Sequence, residues 1–162
     1  MAQDNICFFC NTPFQIMTAL SIQQSERYNA DLYIDPHFDH EELYRERIEE
    51  LHLFKSVKII KQDDVINTKI RANHNKISRI IYLCFINLKA GSYFSSKEYT
   101  CLFTSTNALL YRLCAKYLKR KKIKYKTCYF DDGEGSYDDF MKILNYHSNE
   151  KLELYLYSPQ LF

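Results

Sequence analysis

Glycine is almost missing from this chain: Gly91, Gly133 and Gly135 are the only three in 162 residues. Two of them share one short stretch, Phe130-Asp131-Asp132-Gly133-Glu134-Gly135. A chain this sparing with glycine is expected to need unusual backbone angles or close ligand approach there. Tryptophan is absent, and 14 tyrosines and 11 phenylalanines supply the aromatic surface. No apolar run approaches the about 20 residues of a membrane helix. The best candidate, Ile77 to Leu88, is interrupted by Ser78, Arg79 and Asn87. The start, Met1-Ala2-Gln3-Asp4-Asn5, lacks the basic opening of a signal peptide, so a cytoplasmic location is expected. Charge of one sign is lacking too. A net charge of +2 gives no global electrostatic argument for nucleic acid, and none is expected as a partner.

What is present fits a soluble globular protein, with 46% hydrophobic and 26% charged residues. The length suits one domain with a proper core, and the whole span 1–162 reads as that domain. Six cysteines lie inside apolar runs, where reduced thiols pack as small hydrophobes. Cys7-Phe8-Phe9-Cys10 has metal or redox spacing, but it lies within a strand that sends the two sulfurs to opposite faces. Buried core is the better reading.

Strand and helix signals alternate along the chain. Asn5 to Cys10 is a continuous apolar run, as for a strand buried on both faces. Asn11-Thr12-Pro13 breaks it and opens a helix to about Tyr28, with Phe14, Met17, Leu20 and Ile22 as its apolar positions. Strands are expected at Ala30–Ile34, Val57–Ile60, Tyr99–Thr104, Ile123–Phe130 and Leu152–Tyr157. Helices are expected at Glu41–Leu51, over most of Asp63–Lys89, at Ala108–Lys119 and over Tyr137–Tyr146. This alternation predicts a doubly wound, Rossmann-like α/β domain with a mainly parallel sheet. Ligands in such sheets bind beyond the carboxyl ends of the strands. Asn11-Thr12-Pro13, Asp35, Ser105-Thr106-Asn107 and Asp131-Asp132-Gly133 would then line one crevice.

Asp131 and Asp132 are neighbours, so an extended backbone points them to opposite sides. One would face the crevice, able to take a proton from a hydroxyl, while the other braces the loop. The same acids suit a plain helix cap, and the residues leave both readings open. The crowding of Asp131, Asp132, Glu134, Asp138 and Asp139 lacks calcium-loop spacing, and no metal is expected. The helix opened by Asn11 and Thr12 turns a positive dipole end toward the crevice, without a glycine-rich phosphate turn. The basic run Lys116, Lys119, Arg120, Lys121, Lys122, Lys124 and Lys126 suits a solvated helix end, an anionic membrane face or nucleic acid. All five histidines read as surface residues.

Two segments together carry a resemblance. Asn5-Ile6-Cys7-Phe8-Phe9-Cys10-Asn11-Thr12-Pro13-Phe14-Gln15 resembles the opening strand, turn and helix of bacterial glycosyltransferase family 52, the lipooligosaccharide α-2,3-sialyltransferases. Phe130-Asp131-Asp132-Gly133-Glu134-Gly135 resembles the acidic motif of bacterial sialyltransferases with the two-domain GT-B fold. The resemblance implies the N-terminal, acceptor-side half of such an enzyme, acting on a lipooligosaccharide or capsule glycan. It makes Asp132 the general base, with Asp131 and Gly133 shaping its loop and Asn11, Thr12 and Gln15 lining the acceptor crevice. It implies no metal cofactor and a nucleotide-sugar donor such as CMP-sialic acid. Apart from the resemblance, the basic run makes peripheral contact with the inner membrane face an expectation. The family's donor half carries a His-Pro motif; here only the reverse, Pro36-His37, occurs. The chain ends at Ser158-Pro159-Gln160-Leu161-Phe162, so the donor-binding domain is expected to be absent or separately encoded. The alternative expectation is a non-catalytic remnant or glycan-binding α/β domain.

Overall fold

In the computed structural model, residues 5–61, 84, 92–94, 98–105 and 108–130 are described, together with the backbone of 152–155. The first strand, β1 (Asn5–Cys10), runs through the centre of a six-stranded sheet, between β2 (Asn29–Ile34) and β4 (Cys101–Thr104). Beyond β2 lies β3 (Ser56–Ile59); beyond β4 lie β5 (Lys126–Phe130) and β6 (Leu152–Tyr155). Every pairing is parallel, in the order β3-β2-β1-β4-β5-β6. This is the doubly wound, Rossmann-like α/β arrangement that the alternation of signals predicts.

Burial on both faces explains why β1 carries no polar alternation. Cys7 and Phe9 enter a core with Tyr33, Phe94, Leu102 and helix α3 (Leu109–Arg120). Ile6, Phe8 and Cys10 enter the other, with α1 (Pro13–Glu26) and Ile48 of α2 (Glu41–Glu50). The two sulfurs of the C-x-x-C spacing therefore sit on opposite faces. Cys7, Cys10, Cys101, Cys114 and Cys128 are free and buried, and Cys84 is exposed. Burial pushes the Cys10 and Cys114 thiols well above their ordinary range, which suppresses the reactive thiolate. A native thiol titration should therefore find one fast-reacting group, Cys84, and five more only after denaturation.

Helix α1 does not present the face its apolar residues suggest. Leu20 and Ile22 pack partly against the core, but Phe14 and Met17 are 47% and 61% exposed. Gln15, Ile16, Thr18, Ala19 and Gln23 are the buried residues instead. The polar ones are held by hydrogen bonds. Gln23 Nε2 donates to the carbonyls of Tyr28 and Leu53, both at 2.7 Å, tying the end of α1 to the turn before β3. Thr18 Oγ1 donates to the carbonyl of Phe14 at 3.1 Å. These bonds offset part of the cost of desolvating the polar groups, although the buried Gln23 Oε1 has no hydrogen-bond partner among the described residues.

Scarcity of glycine is visible at the helix ends. Arg27, His40, His52 and Lys122 take left-handed backbone angles, φ 51–63°, where glycine would be strain-free. Arg27 closes α1 in this way, its N–H bonded to the Gln23 carbonyl at 2.9 Å. Arg27→Gly is expected to raise stability by about 0.5–1 kcal/mol, because relief of the left-handed penalty exceeds the added chain entropy. The midpoint of urea unfolding measures it.

Toward the amino ends of the strands, Asp31 organises a buried polar cluster. It accepts from Ser56 Oγ and Tyr99 Oη, both at 2.6 Å, and Tyr99 Oη lies 3.3 Å from Tyr33 Oη. Burial first, then the neighbouring groups, holds the Tyr99 phenol far above its ordinary range. Tyr33 is raised by burial as well. Both remain hydroxyl donors at any working pH.

Candidate functional site

Because all strands are parallel, the residues after β1, β2, β4 and β5 emerge on one edge of the sheet. After β1, β2 and β4 these are Asn11, Asp35 and Ser105, and β5 reaches the same edge at Phe130. The chain winds outward in both directions from the β1/β4 pair, with α1 and α3 in the cores of opposite faces. A reversal of this kind opens a crevice between the two strands, where doubly wound proteins take their ligands.

The turn after β1 is held by a capping box displaced by one residue. Thr12 Oγ1 accepts the Gln15 N–H at 3.3 Å, and Gln15 Oε1 reaches back to accept the Asn11 N–H at 2.6 Å. Pro13 at the first helical position has no N–H to satisfy. The Asn11 carbonyl accepts from the His37 N–H at 3.0 Å, and the Cys10 carbonyl from the Asp35 N–H at 2.9 Å. The loops after β1 and β2 are thus locked to each other. Gln15 is buried and occupied in this locking, so it holds the loop from behind; Asn11 is buried as well, and Thr12 is half-buried.

Asp35 brings a buried carboxyl group to this edge, 4.0 Å from His37 Nε2 on the exposed side. On the β4 side, Ser105 is buried, and its hydroxyl has no hydrogen-bond partner among the described residues. It lies one residue beyond Thr104, which pairs with Phe9 on β1 and Tyr129 on β5. At the rim, Lys61 Nζ pairs with the first carboxylate of α2, Glu41, and holds it below the usual carboxylate range. The edge therefore combines an acid, hydroxyls and the positive end of a helix, a set suited to a polyhydroxylated ligand.

Of the residues singled out from sequence, Asn11, Thr12, Gln15, Asp35 and Ser105 share this edge. Asp131, Asp132 and Gly133 lie outside the described residues, as do Thr106 and Asn107; β5 runs up to Phe130, immediately before Asp131. The His37–Asp35 approach has one sequence signal, the Asp35-Pro36-His37 spacing, which a turn can fold back on itself. Among the described residues no group of three or more His, Cys, Asp or Glu side chains is placed to hold a metal. Compared with known proteins, the chain matches no family model and no curated protein.

Proposed function

We propose that the carboxyl edge binds a glycan acceptor, and that this domain is the acceptor side of a GT-B-like glycosyltransferase similar to the family 52 sialyltransferases. The observation that carries the reading is topological. The two segments bearing the resemblance follow β1 and β5, which end on the same edge with only β4 between them. Strands more than a hundred residues apart in sequence, one leading into the turn motif and the other ending at the first residue of the acidic motif, thus finish on one edge.

In this reading Asp132 takes the proton of an acceptor hydroxyl as its oxygen attacks the anomeric carbon of the donor sugar. The bond from that carbon to the nucleotide phosphate breaks, and CMP leaves with the bonding pair. Asp131 and Gly133 shape the loop, while Asn11 and Thr12 meet the acceptor on the β1 side. A complete transferase also needs a surface for the nucleotide-sugar donor. The test is transfer from CMP-sialic acid to a lactose-type acceptor by this chain, alone and with a donor-binding domain added. Sialylated product supports the reading. Failure of the chain to bind acceptor and to form product under both conditions overturns it.

A further inference from the structure

The charge of this protein is distributed very unevenly. Residues 99–130 contain eight Lys or Arg and no Asp or Glu. The rest of the chain holds fourteen Lys or Arg against all twenty acids. The net +2 is therefore eight positive charges on one segment and six negative charges elsewhere.

The fold puts most of these cations on one exposed surface. Along α3, Arg112, Lys116, Lys119 and Arg120 are exposed, at spacings of four, three and one. That spacing is one helical face. The opposite face is apolar and buried, with Leu110, Leu113, Cys114 and Leu118. Lys121, Lys122 and Lys124 continue the exposed basic surface past the helix end. Arg112, Lys116, Arg120, Lys121, Lys122 and Lys124 make no ion pair among the described residues.

A solvated helix end accounts for part of this pattern, since cations in the last turn favour the negative end of the helix dipole. It does not account for Arg112 near the positive end, where α3 has no acid in its first turn. Nor does it account for Lys122 at φ 58°, where glycine is the strain-free residue.

We propose that the exposed face of α3 and the turn after it form an electrostatic docking surface for an anionic lipid bilayer. A convex helix face with four to eight cations and no exposed apolar residue suits a flat surface of negative headgroups, held without insertion. Lysine dominates, giving point charges without the forked geometry that arginine uses for specific phosphate pairing. Nucleic acid is less well matched. Single-strand binding relies on aromatic platforms, whereas Tyr111 and Tyr117 are buried and Tyr125 is half-buried.

The proposal is independent of the acceptor reading. The test mixes the full chain with vesicles of phosphatidylglycerol and phosphatidylcholine and reads binding by co-sedimentation. Binding is expected to these vesicles and not to phosphatidylcholine alone, and to weaken steeply with added salt. The triple variant Lys116→Gln, Arg120→Gln, Lys121→Gln should partition about 100-fold less, at about fivefold per cation. All three positions are exposed, so its circular dichroism and unfolding midpoint should match the parent's. Absence of binding to the anionic vesicles overturns the proposal. So does equal partitioning of variant and parent, or tighter binding of an oligonucleotide than of vesicles at the same salt. Asp132→Ala should leave vesicle binding unchanged, which separates this outcome from the fate of the acceptor site.

Discussion

Replacing Phe8 by alanine is expected to cost about 3–5 kcal/mol of folding stability. Phe8 lies in the middle of the central strand and is fully buried. Its ring stacks on Phe103 of β4 with centroids 4.4 Å apart, meets Phe54 edge-on at 5.6 Å, and reaches toward Phe130 of β5 at 6.5 Å. One ring thus joins β1, β4, β5 and the turn before β3. Its removal deletes transfer free energy and leaves a cavity among residues fixed by sheet hydrogen bonds, where collapse is limited. Phe14→Ala is the matched control. It removes the same ring from an exposed site and should stay within about 0.5 kcal/mol of the parent. Urea unfolding with an unchanged slope measures both. Similar losses at the two positions would mean that α1 faces the sheet differently from the structure described here.

That contrast also shows what the sequence made legible. β1 keeps its expected limits because an unbroken apolar run ends against Asn11-Thr12-Pro13, so strand and helix signals do not overlap. The strand expected from Ile123 begins at Lys126. Ile123 is still part of the helix ending, its N–H bonded to the Leu118 carbonyl at 3.0 Å past the left-handed Lys122. β4 begins at Cys101 rather than Tyr99, whose hydroxyl is drawn to Asp31. Neither displacement has a local signal, because each depends on a tertiary partner.

Polar residues with buried partners were the least legible. Gln15, Thr18 and Gln23 turn α1 inward, and Asp31 sits in a strand that otherwise reads as apolar. Phe94, fully buried in a helical turn at 92–94, belongs to a region whose pattern offered no strand or helix. At the candidate site, the clustering of the loops after β1, β2 and β4 was readable from strand–helix alternation alone. The locking of those loops through Gln15 and the His37 N–H was not. The helical stretch expected over Asp63–Lys89 lies outside the described residues except for Cys84, which is helical, and Tyr137–Tyr146 lies wholly outside them.

If Asp132 is the general base proposed above, Asp132→Asn is expected to lower the turnover of sugar transfer by about 100-fold to 10,000-fold. The amide keeps the size of the side chain and its ability to hydrogen-bond but cannot accept the proton. Acceptor binding should therefore change far less than turnover, and the loss should fall on kcat rather than KM. On the proposed reading Asp131→Asn should have the smaller effect, since neighbours in an extended chain would face opposite sides and the acceptor is assigned to Asp132. Steady-state kinetics with CMP-sialic acid and a lactose-type acceptor separates the two. Equal losses at both positions, or a loss in KM alone, would assign the acidic pair to loop structure instead of proton transfer.

The claim that most needs testing is that the carboxyl edge of the sheet receives a glycan. Titration of the isotope-labelled chain with a lactose-terminated oligosaccharide, followed by amide chemical shifts, addresses it residue by residue. The account predicts saturable shifts gathered at Asn11, Thr12, His37, Ser105 and 131–133, weakened by Asp132→Ala. Shifts confined to the Asp31–Ser56–Tyr99 end of the sheet, or none at saturating glycan, would contradict it.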